Sequence, residues 1–173
     1  GRFGSLAISG SLNGYPAKIR RTKTMNKTFY LAYGSNLNLE QMAHRCPTAK
    51  PVGPVVLKDY QLLFRGGHGG SVATVEPFKG KTVPCLLWEI TPADEMALDR
   101  YEGFPFLYRK EIVKVRLGKK NVEPMVYIMN DGRPLGTPSC YYYSVILEGY
   151  KSADFDIGIL KHAVEDSKEG ENG

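Results

Sequence analysis

Short extended segments, separated by glycine and proline, dominate the middle of this chain and limit the folds open to it. Strand-type alternation or apolar runs occupy residues 55–64, 73–75, 83–90, 108–117 and 122–129. Helical patterns punctuate these strands without the regular alternation of a doubly wound fold. We therefore expect a single α+β domain whose mixed or antiparallel strands curl into a small barrel-like sheet with flanking helices.

The stretch FYLAYGSNLNLEQM passes from an apolar run into a tight polar turn and then directly into a helix start. Residues 28–33 are predicted as a first strand. Asn38 can cap a helix over about 39–45, with Gln41 at the reciprocal capping position. A strand, a turn and a helix start in this order can aim backbone N–H groups at an anion.

A second helix has the clearest start in the chain. Thr91 is a favourable N-cap, a proline follows it, and Asp94 stands at the third helical position. This helix should end near Gly103, because glycine readily adopts the left-handed conformation that terminates helices. Two further helices are predicted over about 139–149 and 154–166.

The basic charge of the chain is concentrated at its start. Of the 23 basic residues, five lie in residues 1–24, which contain no acid, so the remaining 18 balance the 18 acidic residues. This neutral body removes most of the support for a nucleic-acid partner. The chain has 173 residues, of which 42% are hydrophobic, and no tract long enough to span a bilayer. We therefore expect one soluble domain without a membrane partner. We also expect it to be a monomer or a weak homodimer.

Residues 1–24 are rich in glycine and serine and have no helical or strand period. We interpret them as a non-native or disordered leader, with Met25 as the natural start. A native basic arm that contacts nucleic acid is the alternative. The domain is then expected over residues 25–168, and the charged, glycine-ended tail 169–173 is expected to fray.

Three widely spaced cysteines without a CxxC pair favour a reducing, cytoplasmic compartment and argue against a disulfide or zinc framework. His44 and Cys46 are close in sequence, but two positions apart on a helix they do not face each other. A Cys/His nucleophile is therefore not expected. Cys85 and Cys140 are expected to pack in the core or at its edge.

Glu102 is the strongest candidate for a catalytic acid or base. It falls in the last turn of the predicted second helix, where the helix dipole disfavours negative charge, and its neighbours are aromatic or apolar. Both effects should raise the pKa of this carboxyl group towards the range in which a proton shuttle works at neutral pH. An exposed acid before a turn is the simpler alternative.

Four segments resemble the γ-glutamylcyclotransferase family, including its AIG2-like relatives. They are YGSNL at 33–37, HGGSVATV at 68–75, LDRYEGFPFLYRK at 98–110 and YYYSVILEGY at 141–150. The similarity spans roughly residues 28–166, in the order expected for the family.

The resemblance implies an acyltransferase or cyclising lyase that needs no cofactor or metal. Its substrate would be a small γ-glutamyl amide, which it would convert to 5-oxoproline and a free amine or amino acid. Glu102 is implied as the catalytic residue. Gly34, Ser35, Asn36 and Leu37 form the turn, and the resemblance implies that they bind the substrate through their N–H groups. It also implies substrate contacts by three tyrosines, Tyr33, Tyr108 and Tyr142. Tyr141 and Tyr143 leave the register of the last tyrosine open.

The sequence does not identify the leaving amine. Loops 65–70 and 131–138 are expected to line its pocket, where Arg65 and Arg133 could contact a carboxylate, although solvated arginines are the simpler interpretation. A non-catalytic module of the same fold that binds γ-glutamyl ligands is the alternative function. The presence of Glu102 argues against it.

Overall fold

The computed structural model describes residues 28–67 and 69–168, and within them five strands form one mixed sheet. The strands of the structure are β1 Thr28–Ala32, β2 Lys50–Arg65, β3 Val72–Ile90, β4 Tyr108–Ile112, β5 Val115–Leu117, β6 Lys120–Val122 and β7 Met125–Met129. The sheet has the order β2-β3-β1-β7-β4, in which β1 and β7 are parallel and the other neighbours are antiparallel. Two further strands, β5 and β6, form a separate hairpin.

Four α-helices flank the strands and confirm the predicted α+β class. They are α1 Leu39–Arg45, α2 Pro92–Glu102, α3 Cys140–Ser152 and α4 Ile157–Lys168. A short 3-10 helix, Ser35–Leu37, connects β1 to α1. The predicted leader 1–24, the tail 169–173 and His68 lie outside the described residues.

The two predicted helix starts are confirmed. The Asn38 side chain accepts a hydrogen bond from the Gln41 N–H group at 3.0 Å, and α1 covers the predicted residues. At the start of α2, the Thr91 side chain accepts a hydrogen bond from the Asp94 N–H group, and the Asp94 side chain accepts one from the Thr91 N–H group. Gly103 ends α2 with a φ of 66°, which favours glycine. These helices therefore begin and end where their own residues supply the partners.

The strands differ more from expectation. Segments 55–64, 73–75 and 83–90 belong to two long strands, β2 and β3, which form one hairpin. A bulge interrupts this hairpin at Asp59, where the side chain accepts a hydrogen bond from the Gly80 N–H group at 2.9 Å. The bulge gives the hairpin a bend, which lets the sheet curl.

The two later predicted strands are each divided into two. The β4–β7 ladder stops at the pair Ile112 and Met125, because the preceding Pro124 has no N–H group to continue it. The chain then turns away and forms the β5–β6 hairpin, with Gly118 at a φ of 60° in its two-residue loop.

Helix α3 packs tightly on the 3-10 helix. At Gly149, a Cβ atom would lie 2.6 Å from the Cβ of Leu37, so only glycine permits this approach. Asn38 adds a hydrogen bond from its amide nitrogen to the Val145 carbonyl at 3.2 Å. These contacts hold the middle and the later part of α3 against the turn that follows β1.

Two of the three cysteines are buried, but the prediction for Cys140 is wrong. Cys46 and Cys85 lie in the core, whereas Cys140 is exposed because it is the first residue of α3 and lies at the surface end of that helix. No described helix is both long and apolar enough to cross a bilayer.

Candidate active site

A cavity of about 260 Å³ opens where β1 ends and α2 ends. Its lining contains one carboxyl group and six tyrosines, together with the turn after β1. The lining residues are Tyr30, Tyr33, Gly34, Ser35, Asn36, Val72, Ala73, Tyr101, Glu102, Leu107, Tyr108, Tyr127 and Tyr142. Seven of the eight residues predicted for the site therefore line one cavity, although they come from distant parts of the chain.

Glu102 is the last residue of α2 and its side chain is half-buried. Burial raises the pKa of Glu102 from 4.5 to about 7, while the Arg45 guanidinium acts in the opposite direction. The predicted direction of this shift is thus confirmed, with burial as its main cause. A carboxyl group with this pKa can both accept and donate a proton near neutrality.

The side chain of Asn36 links Glu102 to its surroundings. Its amide nitrogen donates to the Tyr30 hydroxyl at 2.8 Å and to a Glu102 carboxylate oxygen at 3.4 Å. Its amide oxygen accepts a hydrogen bond from Arg45. Asn36 is almost completely buried, so the amide is part of the site's wall. Sequence reasoning assigned this residue a role through its backbone only.

The backbone of the turn differs from the expectation at one position. The Leu37 N–H group donates to the Gly34 carbonyl at 3.0 Å, because the turn closes as a 3-10 helix. The Leu37 side chain is buried in the core and does not line the cavity. Among the described residues, no backbone carbonyl accepts a hydrogen bond from the Ser35 or Asn36 N–H group. Leu37 is therefore a structural residue of the turn rather than a residue of the cavity wall.

Gly34 permits a close approach between the turn and β3. A Cβ atom at Gly34 would lie 3.3 Å from the Ala73 Cβ and 3.7 Å from the Tyr142 hydroxyl. On the other side of the turn, the Ser35 hydroxyl and the Tyr101 hydroxyl are 2.9 Å apart and share a hydrogen bond. These contacts hold the turn between β3 and the end of α2.

The structure places Tyr142, rather than Tyr141, at the cavity. Tyr141 is 73% exposed, whereas the Tyr142 hydroxyl lies in the wall and accepts a hydrogen bond from the Ala73 N–H group at 3.0 Å. The Tyr108 hydroxyl donates to the Ala73 carbonyl at 2.6 Å, and the Tyr33 hydroxyl donates to the Tyr127 carbonyl at 2.6 Å. The hydroxyl hydrogens of Tyr108 and Tyr33 are therefore already used in hydrogen bonds to the protein backbone.

Sequence reasoning missed three tyrosines of the wall and a cation beside it. Tyr30 stands three residues before Tyr33 and Tyr101 directly precedes Glu102, so neighbouring aromatic residues were a usable signal. For Tyr127 and Arg45, no neighbouring residue in the sequence indicated a position at the site. Arg45 places its guanidinium carbon 3.4 Å from the centre of the Tyr101 ring, a contact that exists only once α1 and α2 pack together.

The described residues of the two loops that were expected to line a leaving-group pocket lie outside the wall of this cavity, and that expectation stays a prediction. None of residues 65–67, 69–70 and 131–138 lines the cavity. Instead, Arg65 pairs with Glu76 and donates to the Arg133 carbonyl at 2.9 Å. The Gly136 N–H group donates to the Phe64 carbonyl at 3.1 Å. These bonds join the two loops to each other instead of leaving Arg65 free for a ligand.

Cys46, the cysteine closest to the site, is not activated as a nucleophile. Burial raises the pKa of Cys46 to about 11, and its sulfur donates to the Asp94 carbonyl at 3.6 Å. The thiol is therefore protonated at neutral pH. No group of three or more potential metal ligands is present among the described residues.

Comparison with known proteins gives one consistent family. Residues 30–144 match the family model described as "Gamma-glutamyl cyclotransferase, AIG2-like". The gamma-glutamylcyclotransferase of Homo sapiens is 30% identical over 131 residues, which cover 70% of this chain and 69% of the human protein. The Mus musculus protein of the same name is 30% identical over 132 residues, with the same coverage.

Solved structures agree with this assignment. A structure of a gamma-glutamyl cyclotransferase has a TM-score of 0.69 at 26% identity, covering 79% of this chain and 86% of that one. YkqA from Bacillus subtilis has a TM-score of 0.70 at 23% identity, covering 85% of this chain and 58% of that one, and shows the shared fold.

Proposed function

The chain belongs to the gamma-glutamyl cyclotransferase, AIG2-like family, and on that basis we propose that it cyclises γ-glutamyl amides to 5-oxoproline and a free amine or amino acid. The observation that carries this proposal is the position of Glu102. A carboxyl group with a pKa of about 7 lies in a tyrosine-lined cavity, opposite a turn built from small polar residues.

The proposed reaction is an intramolecular attack. In a γ-glutamyl amide the α-amine can reach the side-chain carbonyl and close a five-membered lactam. The bond from this carbonyl carbon to the leaving nitrogen then breaks. No other reactant is consumed, so the main task of the protein is to hold the substrate in the folded, reactive conformation.

Glu102 would manage the protons. Two protons leave the α-ammonium group in all, and two arrive on the departing nitrogen, which leaves as an ammonium. Glu102 can carry them one at a time, first as a base towards the α-ammonium and then as an acid towards the leaving nitrogen. Its pKa of about 7 suits both directions, since neither form is strongly favoured near neutral pH.

The turn after β1 would bind the charge of the substrate. The N–H groups of Gly34, Ser35 and Asn36 would hold the α-carboxylate or the developing oxyanion. The Tyr142 hydroxyl accepts from the Ala73 N–H group and also has the Ser35 side chain as a hydrogen-bond partner, so it would contact the substrate together with Ser35. Leu37 is left out of this set, since its N–H group is bonded within the turn.

We further propose that the reaction needs no metal or cofactor, since every bond made or broken belongs to the substrate. The proposed setting is a reducing cytoplasmic compartment, which the three free cysteines support. A monomer or a weak homodimer would suffice, because the carboxyl group, the turn and the tyrosines of the proposed site come from one chain.

The test is 5-oxoproline release from a panel of substrates: γ-glutamyl-alanine, glutathione, γ-glutamyl-ε-lysine and simple γ-glutamylamines. We expect release from at least one of them, and loss of that activity in Glu102→Gln, which keeps the shape of the side chain and removes the base. Folded protein that binds a panel compound in a melting-shift assay without turning it over would favour a binding module instead.

A further inference from the structure

Arg45 stands behind the wall of the proposed site and is bonded to it through Asn36. Its guanidinium donates to the Asn36 amide oxygen, and the Asn36 amide nitrogen donates to Glu102 at 3.4 Å. We propose that Arg45 is a positioning residue for the reaction. It orients the Asn36 amide towards Glu102, and its positive charge favours the ionised form of the Glu102 carboxyl group. This inference rests on the proposed role of Glu102.

The orientation follows from the chemistry of the two side chains. A guanidinium has only hydrogen-bond donors, whereas a carboxamide has one accepting end and one donating end. Arg45 can therefore bond only the oxygen of Asn36. The nitrogen must then face the Tyr30 hydroxyl at 2.8 Å and the Glu102 carboxylate. The reversed amide would place its nitrogen against Arg45 and its oxygen against the carboxylate, which is unfavourable at both ends.

Arg45 is itself held from two sides. A second guanidinium nitrogen donates to the Gln41 side-chain oxygen at 3.2 Å, one helical turn earlier in α1. The guanidinium plane also lies over the ring of Tyr101, at 3.4 Å from its centre. Because Tyr101 directly precedes Glu102, Arg45 connects the helix after the turn to the residue that would carry the proton.

The charge of Arg45 offsets the burial of Glu102. Arg45 lowers the pKa of Glu102, whereas burial raises it. The titratable groups that face Glu102 from β1, the turn, β4, β7 and α3 are tyrosines whose pKa is raised by burial, so they are neutral at physiological pH: Tyr30, Tyr33, Tyr108, Tyr127 and Tyr142. Tyr101 adjoins Glu102 on α2 itself. Removing the Arg45 charge should therefore make Glu102 harder to ionise.

The test compares Arg45→Met and Arg45→Lys with the matched control Arg109→Met. Arg109 likewise makes two hydrogen bonds through its guanidinium, to the Glu111 carboxylate and the Met129 carbonyl, but neither of these partners lines the cavity. Two quantities are measured: the ionisation midpoint of Glu102, from carboxyl carbon NMR assigned with Glu102→Gln, and the pH dependence of kcat/KM for the best panel substrate.

We expect Arg45→Met to move the midpoint and the acidic limb of the rate profile to higher pH, with a loss of about tenfold or more in kcat below pH 7. Arg45→Lys keeps the charge and should hold the midpoint closer to that of the wild type. It should still lose rate, because an ammonium on a flexible stem lacks the fixed planar geometry with which the guanidinium bonds both Asn36 and Gln41. Arg109→Met should leave both quantities unchanged.

An unchanged Glu102 midpoint in Arg45→Met would overturn the proposal, as would an increase in KM alone, which would indicate direct contact with the substrate. If Arg45→Met does not fold, the double-mutant cycle of Arg45→Lys with Asn36→Leu decides. The kcat losses should be less than additive if Arg45 acts through Asn36, and full additivity would overturn the inference. The NMR midpoint needs no substrate, so inactive wild-type protein would defeat the proposed function without hiding the result for Arg45.

Discussion

The hydroxyl groups of Tyr108 and Tyr142 bind the same residue of β3 in opposite senses. Tyr108 donates to the Ala73 carbonyl at 2.6 Å, whereas Tyr142 accepts from the Ala73 N–H group at 3.0 Å. Tyr108 has thus used its single hydroxyl hydrogen, whereas the bond to Ala73 leaves the hydroxyl hydrogen of Tyr142 for the Ser35 side chain or for a substrate.

The pair provides a matched test of which tyrosine serves the reaction. Tyr108→Phe should lower the free energy of unfolding by about 1 kcal/mol and change kcat little, because it loses only a structural hydrogen bond. Tyr142→Phe should lose similar stability and, in addition, about tenfold or more in kcat. Equal kcat losses in the two variants, measured alongside urea unfolding, would show that Tyr142 has no separate role.

The pH dependence of activity should follow Glu102. With a pKa of about 7, this carboxyl group becomes a competent base only as the pH rises through neutrality. We expect kcat/KM to rise across this range, and we expect Glu102→Gln to remove both the limb and most of the activity. A profile that stays flat between about pH 5.5 and pH 8, on both sides of this pKa, would contradict the assignment.

The same shift predicts how stability depends on pH. Folded Glu102 holds its proton up to about pH 7, whereas its ordinary pKa is 4.5, so unfolding releases a proton between these values. Rising pH therefore lowers the stability of the folded protein across this window. The Glu102→Gln variant has no such carboxyl group, so its stability does not fall in this way. Its melting temperature should therefore rise relative to that of the wild type between about pH 4.5 and pH 7, and the difference should stay constant above pH 7. A gap that is constant with pH would show that the carboxyl group is not perturbed.

Gly34 and Gly70 give contrasting alanine substitutions near the cavity. Gly34→Ala places a Cβ atom 3.3 Å from the Ala73 Cβ, so the turn or β3 must shift. We expect a destabilisation of about 1 kcal/mol or more, together with reduced kcat/KM. A Cβ atom at Gly70 meets nothing within 4 Å, so Gly70→Ala should leave both quantities near those of the wild type. Equal activity of the two variants would show that the turn does not need this close approach.

Two helical glycines should respond with opposite signs. Gly149→Ala in α3 would force a Cβ atom to within 2.6 Å of Leu37, and we expect at least about 3 kcal/mol of destabilisation. Gly158→Ala in α4 meets only the end of the Asp156 side chain, at 3.0 Å, which can move. It should be neutral or stabilise by up to about 1 kcal/mol, because alanine is the better helix former. Thermal unfolding of both variants checks this, and a tolerated Gly149→Ala would contradict the packing described between α3 and the turn.

What the sequence predicted well depends on partners close along the chain. Asn38, Thr91 and Gly103 define helix ends through bonds within a few residues, so their positions could be predicted. The direction of the Glu102 pKa shift was predicted from its aromatic neighbours, but the burial that causes it also needs cavity residues from distant parts of the chain, such as Tyr30 and Tyr127. The α+β class followed from the spacing of strands and helices.

What the sequence could not predict depends on distant contacts. Asn36 meets Glu102 across 66 positions of the chain, and Arg45 reaches Tyr101 only after two helices pack. The prediction left out residues 76–82 of β3, of which Glu76, Pro77 and Thr82 pair with β2 on the two sides of the bulge at Asp59. Leu37 was assigned to the site because the closure of the turn as a 3-10 helix, which uses its N–H group, has no clear sequence signal.

The parallel pairing of β1 with β7 affects the order in which the protein can be assembled as a ribosome makes it. The emerging chain completes β1, the long hairpin and Glu102 well before β7 and Tyr142 become available. Until then, the cavity lacks one wall and Glu102 remains open to water, where a carboxyl group is a weak base at neutral pH. We therefore expect the proposed proton chemistry only in the completed domain, because an unfinished chain would carry the residues of the site without the burial that raises the pKa of Glu102.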